Sequence, residues 1–141
     1  ALNKKYGKIE RKSKIFEFDF TDYYKKEMGQ NLKKFFISFE KLISVDKLPN
    51  VKIFTGKLER QFSNKERRNV NLDPGYLTSA KLVVASLKKR YHRIYLQKGV
   101  YAHLMFLFKK QGIKKFAWTF PDYSVQDNID FFLKVRKDLK K

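Results

Sequence analysis

Along the chain, apolar residues recur at steps of two in some segments and at steps of three or four in others, which reads as a mixture of strands and helices. Residues 1–7 read as the tail of a helix closed at Gly7. In 14–20, KIFEFDF, Phe16, Phe18 and Phe20 alternate with Glu17 and Asp19 and predict a half-buried strand. In 31–43, Leu32, Phe35, Phe36, Phe39, Leu42 and Ile43 predict a helix whose other face carries Lys33, Lys34 and Lys41 in solvent. Val51, Phe54, Leu58 and Phe62 predict a helix over 50–63 with Pro49 just before its first turn, although Val51 and Ile53 also fit a short strand. Asp73-Pro74-Gly75 is either a turn or an N-cap with proline at the first helical position, and Leu77, Ala80, Lys81, Val84 and Leu87 favour a helix after it. Residues 91–96 and 100–108 predict two strands joined by a hairpin turn at Gln97-Lys98-Gly99, with a third strand over 113–118. Ser124, with Asp127 three residues on, resembles a capping box opening an amphipathic helix through Ile129, Phe132, Leu133, Arg136 and Leu139. Three or four strands and as many helices, without regular alternation, predict an α+β fold: two layers, a mainly antiparallel sheet of three to five strands, and helices covering one face.

Composition narrows this picture. The chain has 141 residues, read as a single domain over 1–141, with 33 Lys+Arg against 14 Asp+Glu and a formal net charge of +19. Its 43% hydrophobic content, with 14 Phe, 8 Tyr and one Trp, excludes a disordered basic tail, because such tails lack the apolar side chains that offset chain entropy. The absence of Cys excludes disulfides, thiol nucleophiles and thiolate zinc sites. The longest apolar runs, such as 102–108, fall far short of a bilayer span, and no apolar h-region follows the basic N-terminus, so a cytoplasmic protein is expected.

Familiar phosphate-binding and hydrolytic motifs are missing. The six glycines form neither GxGxxG nor a P-loop, since Val51 stands where the first P-loop glycine belongs and Leu58 follows Gly56-Lys57; HExxH and GxSxG are absent too. Four segments remain that join charges, aromatics and turn residues: 19–29, 67–77, 91–95 and 118–123. Each has an ordinary explanation as a cap, a turn or cross-strand packing. In the hairpin, a two-residue loop at Lys98-Gly99 places Ile94 opposite His103 and Met105 opposite His92, making the histidines diagonal neighbours about 7–8 Å apart; a three-residue loop puts them on opposite faces. The alternating Tyr91, Arg93 and Tyr95 would then line the other face, where a guanidinium between phenols suits phosphate or base contact. No metal site is expected, and no cofactor is assigned.

Taken together, FDFTDYYKKEMG (18–29), NVNLDPGYLTSAKLV (69–83), HRIYLQKGVYAH (92–103) and WTFPDY (118–123) resemble a bacterial family catalogued only as a domain of unknown function, with order and spacing matching across nearly the whole chain. Some members carry a GTP-binding label. This chain has neither the P-loop nor an NKxD motif to match it, since Asn64-Lys65-Glu66-Arg67 ends in the wrong residue. The resemblance implies a further N-terminal strand and helix in relatives, so this chain is expected to be shortened and the full fold ferredoxin-like. It also implies a polar signature: Asp73, His92 and Asp122 as candidate catalytic groups, and Asp22, Tyr23, Glu27, Arg68, Asn71, Tyr76, Arg93, Tyr95 and Tyr123 as candidate ligand-binding groups. Two departures stand out: His103 where relatives are expected to be acidic, and Ser124 where arginine is expected after PDY.

Two functional readings follow. In the first, the protein is a nucleic-acid-associated module, RNA before DNA, with lysine doublets on phosphates and exposed tyrosines on bases. In the second, it is an enzyme or binding protein for a nucleotide or phosphorylated substrate, with Arg68 and Arg93 holding phosphate and His92 or a carboxylate moving protons. A structural subunit would instead show an exposed apolar patch. The oligomeric state is left open.

Overall fold

The computed structural model describes residues 1–19, 28, 32–64 and 67–139. Its fold is α+β. A short helix, α1 (Leu2–Tyr6), ends at Gly7 as expected and leads into two small antiparallel ribbons: β1 (Ile9–Lys12) pairs with β4 (Ile37–Phe39), and β2 (Phe16–Glu17) with β3 (Lys33–Lys34). The strand expected over 14–20 is therefore trimmed to two residues, and Phe20 lies outside the described residues. A 3-10 turn at Val45–Lys47 runs into α2 (Leu48–Gln61), the helix expected over 50–63, with Pro49 inside its first turn rather than before it.

The helix expected over 31–43 does not form. Its residues alternate instead: Leu32, Lys34 and Phe36 are drawn inward while Lys33 and Phe35 are exposed, the period of a strand. Two ties hold the extended backbone. The Phe36 amide donates to Ser13 Oγ and its carbonyl accepts from the Ser13 amide, both at 2.8 Å. The Phe36 ring lies 4.9 Å from both Tyr123 and Phe132, so burial in an aromatic core overrides the helical spacing.

The principal sheet has five strands: β5 (Gly75–Leu77), β6 (Lys81–Ser86), β7 (Ile94–Gln97), β8 (Val100–Phe108) and β9 (Ile113–Lys115). They are ordered β5-β6-β8-β7, and β9 joins the far end of β8. The described ladders are all antiparallel, so the parallel neighbours of a ferredoxin-like sheet are not among them. The helix expected after Asp73-Pro74-Gly75 is also overturned. Gly75 opens edge strand β5, and the Pro74 carbonyl accepts from the Ala85 amide at 2.9 Å. A Thr78 hydroxyl then closes the turn by accepting from the Ala80 and Lys81 amides.

Leu82 to Ala85 are buried on both faces of β6, the burial of a central strand rather than of a helix with one wet side. That double burial also corrects the expectation that helices cover one face. Leu82 and Val84 join Met105, Phe106, Tyr123, Phe131 and Phe132 on the side of α3 (Gln126–Leu139), while Val83 and Ala85 join Val100 and Leu48 of α2 on the other. Ser124 does not cap α3. It sits in a 3-10 turn, Pro121–Ser124, with its hydroxyl donated to the Pro121 carbonyl, and the Val125 carbonyl receives the first helical amides. The expected hairpin is present, and Lys98 (φ +55°) and Gly99 (φ +78°) supply the two left-handed residues of a type I′ turn. No helix among the described residues is long and apolar enough to cross a membrane.

Candidate functional site

A cleft of about 450 Å³ opens at the C-terminal end of β6, between α2 and the Pro121–Ser124 turn. One end is an ion-pair chain assembled from five separate segments. Pro121 starts the 3-10 turn, and Asn128 of α3 fixes it by donating to the Asp122 carbonyl at 2.8 Å. The Asp122 carboxylate, its side chain only 3% exposed, accepts from Lys34 Nζ at 2.5 Å. Lys34 reaches it because β3 turns alternate residues inward, and its ammonium stands over the rings of Phe36 and Tyr123 and 3.9 Å from Asp73 Oδ2. Asn71 donates to that same oxygen at 3.1 Å and accepts from Arg68 at 2.6 Å. Arg68 lies 3.5 Å from Glu59 Oε2, an oxygen that also takes the Leu72 amide at 2.7 Å. Each carboxylate here has a cation or an amide on it.

The other end is built differently. Arg93 donates from Nη1 to Ser86 Oγ at 2.8 Å and to the Lys88 carbonyl at 2.9 Å, and from Nε to His103 Nδ1 at 3.0 Å. His103, 1% exposed, has Nε2 at 3.0 Å from the Trp118 carbonyl, so the hydrogen-bond network assigns the Nε2–H tautomer. Burial, then Arg93 and His92, push its pKa down to about 4 against the weaker pull of Trp118, so the ring is neutral. Burial first, and the nearby Arg90 second, also lower Arg93.

The histidines meet by a route other than the expected one. Gln97 faces Val100 as a two-residue loop requires, but a bulge follows, and Tyr95 faces Tyr101 while Ile94 faces Ala102 instead of His103. β7 ends there, and a turn in which the Arg93 amide bonds to the Arg90 carbonyl swings His92 inward. His92 Nε2 comes within 3.3 Å of His103 Nδ1 while its ring stacks on Trp118 at 4.9 Å. Burial and the charges of Arg93 and Arg90 lower the His92 pKa.

Of the signature residues, the fold brings Arg68, Asn71, Asp73, Arg93 and Asp122 to the cleft. His92 stands behind His103, outside the lining. The other tyrosines lie elsewhere: Tyr123 is core, Tyr76 packs on the α2 side, and Tyr95 meets Tyr101 on the hairpin. The expected Tyr91–Arg93–Tyr95 face does not form, since Tyr91 is 90% exposed and Arg93 turns to His103. Asp22, Tyr23 and Glu27 lie outside the described residues. Sequence reasoning missed Lys34 and Glu59, and it read His103 as a departure rather than a participant. The signal for Lys34 was the alternation of 32–36, hidden by the stronger helical spacing of the phenylalanines. Among the described residues, no group of three or more His, Asp or Glu side chains is arranged to hold a metal ion.

Fold and cleft together define an α+β domain with a charged ligand-sized cavity at the end of its central strand. The chain belongs to the family described as Domain of unknown function (DUF4416), whose model matches residues 1–139. Neither a curated protein nor a solved structure matches the chain.

Proposed function

We propose that the cleft binds a phosphorylated ligand of nucleotide size. The observation that carries this reading is Arg93: a partly buried guanidinium whose three hydrogen-bond acceptors, a hydroxyl, a carbonyl and a neutral imidazole, bring no negative charge. A partly buried cation with no carboxylate on it among the described residues carries a desolvation cost, and an anion entering the cleft relieves that cost. The lining supports the same sign, with six cationic side chains against three acidic ones among the described residues. The volume is that of a small-molecule site. Asp73, its side chain 23% exposed against 3% for Asp122, is the carboxylate with access to such a ligand and the candidate for any proton transfer.

The test is a titration of the isotopically labelled protein with ADP and with orthophosphate. Amide shifts confined to 84–93, 71–73 and 120–122 are expected; shifts scattered over the basic surface, or no binding, overturn the reading. Association with RNA is a second reading. It is favoured by Tyr91, 90% exposed beside the basic run Lys88-Lys89-Arg90, an arrangement suited to stacking a base next to a phosphate.

A further inference from the structure

We infer that Arg93 is the seat of a terminal phosphate and that His103 is the positioning residue that presents it. This rests on the reading of the cleft as a phosphate site and names the group within it. An arginine has five N–H donors in a fixed planar fork. Three of them are committed at Nε and Nη1, to three acceptors from two parts of the chain, 86–88 and His103. The two on Nη2 have no partner among the described residues, although Arg93 lines the cavity. A guanidinium held at Nε and Nη1 with the Nη2 donors unfilled is pre-organised for an oxyanion, because the ordering that a surface arginine undergoes on binding has already taken place.

His103 makes the fixing possible. Arg93 Nε needs an uncharged acceptor at that point, since a carboxylate would neutralise the guanidinium and a protonated imidazole would offer a second donor. The neutral ring provides one because its Nε2–H is spent on the Trp118 carbonyl, leaving Nδ1 as acceptor. A histidine at this point thus leaves the arginine's charge available.

A terminal phosphate suits this end better than a diester. It carries more charge on unesterified oxygens, and a cavity of about 450 Å³ matches a mononucleotide or the phosphorylated end of a strand rather than a strand running through it. Both sources share the same chemistry, so the experiment separates them.

Binding of ADP, orthophosphate, a 5′-phosphorylated oligouridylate and its unphosphorylated counterpart is measured by calorimetry on the full chain and on Arg93→Gln, Arg93→Lys, His103→Asn and His103→Leu. Both Arg93 variants are expected to bind phosphate probes at least about tenfold more weakly, lysine included, because it cannot hold the fork. His103→Leu is expected to lose about three- to tenfold, and His103→Asn, whose Oδ1 can replace Nδ1 as acceptor, to recover most of it. Recovery by asparagine separates positioning from simple packing, which leucine would serve as well. If His103→Leu does not fold, the ring nitrogen shifts of the unmodified protein give an independent readout: the Nε2–H tautomer is expected, and the opposite tautomer overturns the role of His103. Preference for ADP or for the 5′-phosphorylated strand identifies the source and supports the proposal either way; equal weakening of the phosphorylated and unphosphorylated strands by Arg93→Gln overturns it. Cleft-confined binding that both Arg93 variants retain removes Arg93 and leaves the cleft reading standing. No binding of any probe by the unmodified chain removes both.

Discussion

An imidazole 1% exposed, with Arg93 and His92 as the charged or titratable groups packed against it, couples folding to pH. Above about 6.5, the ordinary histidine value, His103 is uncharged in both the folded and unfolded chains. Between about 6.5 and about 4 only the unfolded chain takes up a proton there, so stability falls as pH falls through that window and the effect saturates below it. A displacement from 6.5 to about 4 corresponds to up to about 3 kcal/mol. His92, lowered by the same kind of surroundings, acts in the same direction. Urea midpoints at about pH 7.5 and about pH 4.5 check this linkage. The unmodified chain is expected to lose more stability on acidification than His103→Asn, because carboxylate titrations are common to both and cancel in the difference. Equal losses would mean that His103 protonates in the folded state as easily as in the unfolded one.

At the scale of elements, legibility followed the strength of the competing tertiary term. α2 and α3 were readable because each offers one apolar stripe to a sheet and leaves its other face in water, which is what helical spacing encodes. The β7–β8 hairpin was readable because its two left-handed residues announce the turn. The segment 31–43 was misread because the packing of Phe36 in an aromatic core overrides its helical spacing, and 77–87 for a second reason. Where both faces of a short strand are buried, apolar residues fall at every spacing, and steps of three and four appear by coincidence. The cleft inherited that error: Asp73, Asp122 and Arg93 could be named from the sequence, but the lysine bridging the two carboxylates sat on a helix that does not exist. Gly75 bears on the same region. A Cβ there would run into the Val83 carbonyl across the β5–β6 ladder, where backbone atoms cannot step aside as a flexible side chain would. Gly75→Ala is therefore expected to destabilise the protein by about 1–3 kcal/mol, read as a lower denaturant midpoint at unchanged slope. Because Asp73 lies two residues upstream of that contact, weaker ADP binding should accompany the loss. An unchanged midpoint would show that the two strands can part at no cost.

At the scale of the whole molecule, the net charge of +19 has two components with different salt behaviour. Among the described residues, most of the basic doublets are exposed, and there their attraction for a polyanion is long-ranged and screened. The pair Lys33-Lys34 shows how the two components separate: the first side chain is exposed, while the second is half-buried among aromatic rings and carboxylates and adds little to the outer field. Cations of the cleft such as Arg93 act at contact distance on a bound group, so salt weakens them less. A polyanion on the outer surface displaces one counterion per contacted phosphate, and its affinity should fall steeply with salt. Oligouridylate binding is accordingly expected to show a log–log salt slope steeper than about −4, unaffected by Arg93→Gln when the strand has no terminal phosphate. ADP binding should show a shallower slope and be weakened by that substitution. A single slope shared by both ligands, with the same response to Arg93→Gln, would mean that the cleft and the basic surface form one site. A slope near zero for the strand would remove the nucleic-acid reading and leave the cleft as the feature that defines this domain's chemistry.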